Sequence, residues 1–190
     1  MRKTWRLLRE KLPHIFTYGC APHCFNLHSK DILKLAEFAD TVDDLNLIVN
    51  YMNKHTQAGG LATLRKHQKA CYGKLIAIQR AGKTRWTSVI ACATSVTATR
   101  DALTRTVNDK DFDKRAENAT RVRKLILDAG DDDSFWDRVA LLIRVLEPLR
   151  VALLALQADN VTMGDVYASV SSVRATSPAD LFPSRPATDT

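Results

Sequence analysis

The sequence predicts a mainly α-helical protein with one or two short β-strands near its N-terminus. Apolar residues recur at helical spacing along most of the 190-residue chain, and the longest such run lies between Ser134 and Leu156. A Thr followed three residues later by Asp, which is the spacing of a capping box at a helix N-terminus, occurs at Thr41 and again at Thr162. These signals place helices in both halves of the chain.

The predicted elements follow one another along the chain. Helices are expected at residues 4–12, 22–38, 41–52, 61–72, 86–107, 114–127 and 134–156, with a last one after Thr162. His14–Tyr18 is the best strand candidate, because it is β-branched and aromatic and lies between Pro13 and Gly19. Lys74–Ile78 is the second strand candidate. The polar segment 108–113 is expected to be a loop.

Composition excludes several classes of protein. The chain is 45% hydrophobic and 26% charged, and no stretch approaches the roughly 20 apolar residues of a membrane span. The apolar block of a signal peptide is missing after Met1, so we expect an intracellular protein with reduced thiols. Its cysteines are Cys20, Cys24, Cys71 and Cys92. There is also no P-loop, no Gly-x-Ser-x-Gly motif and no dinucleotide-binding fingerprint.

The charge distribution predicts a polyanionic partner. The net charge is +7, and no Asp or Glu occurs between Leu45 and Arg100. The basic residues of that stretch are Lys54, Arg65, Lys66, Lys69, Lys74, Arg80, Lys83, Arg85 and Arg100. Because local acidic partners are missing, these cations are expected to be available for phosphates. The alternative is a basic surface that meets only solvent.

Four segments resemble one known family. Residues Cys20, His23, Asn26 and Asp31 belong to the pattern Cys-x-x-His-x-x-Asn-Leu-x-x-x-Asp, and residues 84–88 read Thr-Arg-Trp-Thr-Ser. The other two segments are residues 1–18, before the first motif, and a block from Trp136 to residue 167, after the second. All four occur in the order found in one known family. Together, over about residues 1–172, they resemble the transposases of the hAT superfamily, in the branch found in plant and fungal genomes.

The resemblance implies a place within a larger fold. In that family a catalytic domain of RNase H-like fold is interrupted by a long helical insertion, and three carboxylates hold two divalent metal ions, Mg or Mn. None of the three carboxylates maps onto this chain. By this resemblance, residues 1–19 are a remnant edge of the catalytic core and residues 20–172 are the helical insertion region. Residues 173–190 are expected to be a disordered tail, because they are rich in Ser, Pro, Ala and Thr.

The function implied is that of a nuclear, DNA-binding fragment of a transposable element. Its DNA would be transposon ends or non-specific sequence, and no catalytic activity and no cofactor are expected in this chain alone. Any homo-oligomer would form through regions that the chain lacks, and no membrane partner is expected. One alternative is a helical remnant that binds other proteins and has no DNA role. Another is an intact, active transposase whose gene model is truncated, with Met1 an internal methionine.

The resemblance also assigns candidate DNA contacts. In related transposases the Trp of the second motif supports a nucleotide that is flipped out of the duplex. The matching residue here is Trp86, and Arg85 beside it is expected to bind a phosphate. The alternative for Trp86 is a buried residue that begins a core helix. The full set of predicted DNA-binding residues is Arg85, Trp86, Ser88, Lys54, Arg65, Lys66, Lys69, Lys74, Arg80 and Lys83.

The Cys-x-x-His segment allows three interpretations. The family links Cys20 and His23 to DNA binding and to transposase architecture. The structural alternative, which we favour slightly, has His23 donating to the backbone at a helix N-terminus with Cys20 packed beneath it. With Cys24 and His28 nearby a zinc site is the weakest interpretation, because structural zinc sites usually draw ligand pairs from separated segments. No metal site is predicted.

Acidic residues also cluster in two runs, which are expected to be solvated loops rather than metal ligands. These runs are Asp109, Asp111 and Asp113, and Asp131 to Asp133.

Overall fold

The computed structural model describes residues 2–14, 19–53, 60–82, 85–112, 118–128, 134–158 and 160–176. Within these ranges the ordered elements are the helices α1 (Arg2–Lys11), α2 (Ala21–Ile32), α3 (Ala36–Met52), α4 (Leu61–Tyr72), α5 (Thr87–Thr97), α6 (Arg100–Asn108), α7 (Ala119–Leu127), α8 (Phe135–Ala155) and α9 (Met163–Thr176). The prediction of a mainly α-helical fold is confirmed. None of the described helices is both long and apolar enough to cross a lipid bilayer.

No β-strand occurs in the described ranges, so the strand predicted at Lys74–Ile78 is wrong. The segment has no regular secondary structure, and side chains of neighbouring helices bond to its backbone. The Gln68 amide donates from Nε2 to the Ile76 carbonyl (2.7 Å) and accepts at Oε1 from the Ile76 N–H (3.3 Å). The Gln79 N–H donates to Ser95 Oγ (3.0 Å). Residues 15–18 of the other strand candidate lie outside the described part of the chain.

Three predicted helices have different boundaries in the structure, those at residues 22–38, 41–52 and 86–107. The helical structure is interrupted at residues 33–35 and resumes with α3 at Ala36. Thr41 and Asp44 therefore lie inside α3 and do not form a capping box. Instead, Thr41 Oγ1 donates to the Glu37 carbonyl one turn earlier (2.6 Å). The helix predicted from Trp86 to Val107 is divided between α5 and α6.

The second capping box is present as predicted. The Thr162 N–H donates to Asp165 Oδ2 (2.8 Å), and the Asp165 N–H donates back to Thr162 Oγ1 (3.3 Å). These bonds satisfy N–H groups that a helix N-terminus leaves without intrahelical partners, so α9 begins at Met163.

Helix α8 forms the centre of the core. It packs against α2, α3, α5 and α9. Its fully buried residues, Phe135, Val139, Leu142, Leu146 and Leu149, are each 0% exposed and recur every three or four positions. Helices α4, α6 and α7 pack in succession beside this group, and α7 also contacts α3.

One buried carboxylate joins three helices. Asp44 on α3 is 7% exposed. Its Oδ1 accepts from Arg121 Nη2 on α7 (2.8 Å) and its Oδ2 from Arg138 Nη2 on α8 (3.0 Å). Both partners are far from Asp44 in sequence, so these bonds fix the relative positions of α3, α7 and α8.

Replacing Asp44 should therefore destabilise the fold. We expect Asp44→Ala to lower the free energy of unfolding by about 2 kcal/mol, because two guanidinium groups lose their shared acceptor while both remain partly hydrated. The neighbouring exposed Asp43→Ala is the control, with an expected change below about 0.5 kcal/mol. Urea unfolding followed by circular dichroism measures both. Equal effects of the two substitutions would contradict this role.

Candidate nucleic-acid interface

The two motifs that carry the resemblance meet in space. Asn26 lies on α2, half-buried, and Trp86 immediately precedes α5. Trp86 Nε1 donates to Asn26 Oδ1 at 2.7 Å. Since 60 residues separate the two in sequence, the bond ties the start of α5 to the middle of α2.

Trp86 is part of the core. Its side chain is 5% exposed, as the structural alternative for this residue expects. Base stacking by Trp86 stays a prediction, and it would require the indole to become accessible. Arg85, directly before it, is exposed.

Ser88 closes the turn that leads into α5. Its Oγ accepts from the Gly82 N–H (2.7 Å) and donates to the Arg85 carbonyl (2.5 Å). These bonds hold the end of the extended segment 73–82 against the first turn of α5. Ser88 therefore shapes the backbone beside Arg85, and its role in DNA binding stays a prediction.

The remaining residues of the first motif face solvent. Cys20 and His23 are both exposed, so the interpretation that Cys20 packs beneath the helix start is wrong. Asp31 is exposed, and a hydrogen bond from Lys34 Nζ (2.7 Å) lowers the pKa of its carboxyl. Of the four motif residues, only Asn26 takes part in the interior. In the described ranges no three His, Cys, Asp or Glu side chains are grouped as metal ligands.

The predicted basic residues fall on two neighbouring elements. Arg65 and Lys69 are exposed on α4, one turn apart, and Lys74 and Arg80 are exposed on the extended segment 73–82. No ion pair involves these four or Arg85 within the described residues. Their charges are therefore available to an anion. Lys54 and Lys83 lie outside the described residues.

Lys66 differs from the other cations because it has an acidic partner. Its Nζ lies 3.0 Å from Asp109 Oδ2, and His67 Nε2 lies 2.7 Å from the same oxygen. Bonds from the Asp111 N–H, Lys66 and His67 hold the pKa of the Asp109 carboxyl well below its usual range. The carboxylate is thus ionised near neutral pH and neutralises Lys66. The prediction that the cations of this stretch are available for phosphates is wrong at Lys66, because Asp109, which lies beyond the stretch in sequence, pairs with it.

Asp109 lies in the predicted loop after α6, but the expectation that its side chain is solvated is wrong as well. Its side chain is only 8% exposed, and it joins α4 to the end of α6. Asp111 is exposed, whereas Asp113 and residues 131–133 lie outside the described part of the chain.

An open groove lies between α4 and the extended segment 73–82, and we call it the α4 groove. Its volume is about 660 Å³. Arg65 on α4 and Arg80 on the segment 73–82 both line it, together with apolar residues that include Leu61 and Ile76. The α4 residues on its wall recur every three or four positions, so they form one face of the helix. The sequence did not suggest the groove, because nothing local shows that Gln68 would hold Ile76.

Comparisons of the chain with protein-family models, with curated proteins and with solved structures found no match. A functional proposal must therefore depend on the motif residues and on the contacts described above.

The hydrogen bond between the two motifs can be measured by a double-mutant cycle. Trp86→Phe and Asn26→Ala should couple by about 1 kcal/mol in the free energy of unfolding, because each removes one partner of a single hydrogen bond. In the control cycle, Trp86→Phe is combined with Lys124→Ala on the exposed side of α7, and the effects should add. A coupling near zero in the first cycle would contradict the bond.

The cysteines should differ in reactivity. Burial raises the pKa of the Cys92 thiol to about 11, whereas Cys20 and Cys24 are exposed. At mildly alkaline pH we expect iodoacetamide to modify Cys20 and Cys24 in the native protein, and Cys92 only after denaturation, because the thiolate is the reactive form. Peptide mass spectrometry after a time course gives the order. Modification of native Cys92 as fast as Cys20 would show that α5 is not buried as described.

Proposed function

We propose that this chain is a DNA-binding helical module of a hAT-type transposable element, corresponding to the helical insertion region beside an RNase H-like core. It acts in the nucleus and has no catalytic activity of its own. The observation that carries the proposal is the exposed set Arg65, Lys69, Lys74, Arg80 and Arg85, none of which takes part in an ion pair within the described residues. An unneutralised basic surface of this kind is the electrostatic footprint of a DNA-binding protein.

The hydrogen bond between the motifs supports the family part of the proposal. Trp86 and Asn26 each belong to one of the two most distinctive segments of the resemblance, and the bond that joins them measures 2.7 Å. It gives a physical reason for an indole and an amide to occur together, since one supplies the donor and the other the acceptor.

The proposed binding mode is contact with the DNA backbone. Lys and Arg side chains on α4 and on the segment 73–82 pair with phosphates and release condensed counterions, so the affinity falls as salt rises. Contacts of this type position a protein on DNA and carry no direct sequence information. Non-specific duplex DNA is therefore the appropriate first ligand, and no metal-dependent strand cleavage is expected.

The test is a comparison of two charge-matched triple variants. Arg65→Ala/Lys69→Ala/Arg80→Ala should weaken binding to duplex DNA and reduce the slope of log affinity against log salt by about 0.9 for each phosphate that is no longer neutralised. The control, Lys30→Ala/Arg144→Ala/Arg174→Ala, removes the same charge from exposed positions on α2, α8 and α9 and should change affinity far less. Fluorescence anisotropy at several salt concentrations measures both.

Two results would overturn the proposal. Wild-type binding that is absent or independent of salt would exclude a phosphate interface. Equal reductions in affinity for the two variants would show that net charge alone, and not this surface, attracts the DNA.

A second candidate function is protein association. Several apolar side chains on α8 and α9 are about half exposed or more, namely Val151, Leu154, Met163, Tyr167 and Val170. Exposed apolar side chains in such number are typical of surfaces that meet another protein. A helical interaction remnant would keep its DNA behaviour unchanged in Arg85→Ala, at an exposed position, which separates it from the first proposal.

A further inference from the structure

The α4 groove has walls that are held in place by hydrogen bonds. Both bonds of the Gln68 amide reach the backbone of Ile76, and Gln68 itself is 2% exposed. Further along the segment, Gln79 and Gly82 donate backbone N–H groups to the hydroxyls of Ser95 and Ser88. The extended wall is thus attached to α4 at one point and to α5 at two, so the groove is formed before any ligand binds.

The groove combines an apolar surface with positive charge at its borders. Leu61 contributes from α4, and Leu75 and Ile76 contribute from the segment 73–82. Arg65 and Arg80 also line the groove, and none of its lining residues in the described part of the chain is acidic. Its volume of about 660 Å³ falls in the range of sites that take small organic groups.

This chemistry matches an unpaired nucleic-acid strand better than a duplex. In a duplex the base faces are stacked on one another, so only phosphates and base edges are available to a protein. In an unpaired strand the flat, weakly polar base faces are accessible and the phosphates flank them. Leu75 and Ile76, which we call the groove floor, offer an apolar surface to a base, and Arg65 and Arg80 offer charge to phosphates.

Resting on the function proposed above, we propose that the α4 groove binds unpaired DNA. A base lies against Leu75 and Ile76, and the adjoining phosphates pair with Arg65 and Arg80. Arginine suits both roles, because its planar group also stacks on bases. Lys69 lies one turn beyond Arg65 on α4 and extends the positive charge past the groove. A DNA strand carries regularly spaced phosphates, so the next phosphate can pair with Lys69.

The experiment compares two DNA probes on the full 190-residue chain. The probes are a 5′-labelled oligo(dT) of about 12 nucleotides and a mixed-sequence duplex of equal length. This length lies within the range that common single-strand binding folds cover. Leu75→Ser tests the floor without changing charge, and Leu75 is 49% exposed, so the fold should tolerate it. The matched control is Leu154→Ser, at a position 54% exposed on α8 and away from the groove.

We expect Leu75→Ser to weaken oligo(dT) binding by about five-fold, because the apolar contact between the leucine side chain and the base is lost, and to leave duplex binding within about two-fold. Leu154→Ser should change neither. An unchanged affinity for oligo(dT), or an equal reduction for both probes, overturns the groove assignment while salt-dependent duplex binding leaves the proposed function in place. If a peptide of alternating Leu and Glu binds in a Leu75-dependent way and oligo(dT) does not, the occupant is an acidic protein segment and the inference is wrong.

Discussion

The burial of α8 is the constraint on which the remaining structure depends. Four helices pack on it, and each fully buried Leu on its faces, such as Leu142, Leu146 and Leu149, contributes about 1.5–3 kcal/mol relative to an exposed one. Because α2 and α5 both lie against α8, the segments that carry Asn26 and Trp86 are brought together by core packing. Their hydrogen bond then fixes the local alignment. The meeting of the two motifs is thus a result of the core and could not occur between isolated peptides.

In the non-helical segment 73–82, side chains supply the hydrogen-bond partners that a neighbouring strand would supply in a sheet. The segment 73–82 has no partner strand among the described residues, and the N–H groups of Ile76, Gln79 and Gly82 are satisfied by side chains of α4 and α5. These bonds hold an irregular segment against the helices. They thereby hold the segment that carries Arg80. The electrostatic surface therefore depends on a few uncharged residues that no charge pattern would identify.

The sequence was informative where the signals are local. The periodicity of residues 134–156 predicted α8 almost to the residue, and the Thr162–Asp165 pair predicted the start of α9. It failed where the deciding partner is distant. The Thr41–Asp44 spacing resembles a capping box, but Asp44 pairs with guanidinium groups 77 and 94 residues away. The break at residues 33–35 contains neither Gly nor Pro and gives no local warning. Likewise, the acidic partner of Lys66 lies beyond the end of α6 and could not be inferred from the absence of Asp and Glu nearby.

The two hydrogen bonds between Gln68 and Ile76 also have a consequence for dynamics. The segment 73–82 has no regular hydrogen-bonding pattern of its own, so its rigidity comes from α4 and α5. Local opening of this segment breaks a few side-chain hydrogen bonds and the contacts of Ile78 and Ala81 with the core, whereas opening of α5 would disturb the core around Cys92 and Trp86. The groove wall is therefore expected to open at a lower free energy than the core. Substitutions at Gln68, Ser88 or Ser95 would tune how firmly the groove is held while α8 and its neighbours remain intact.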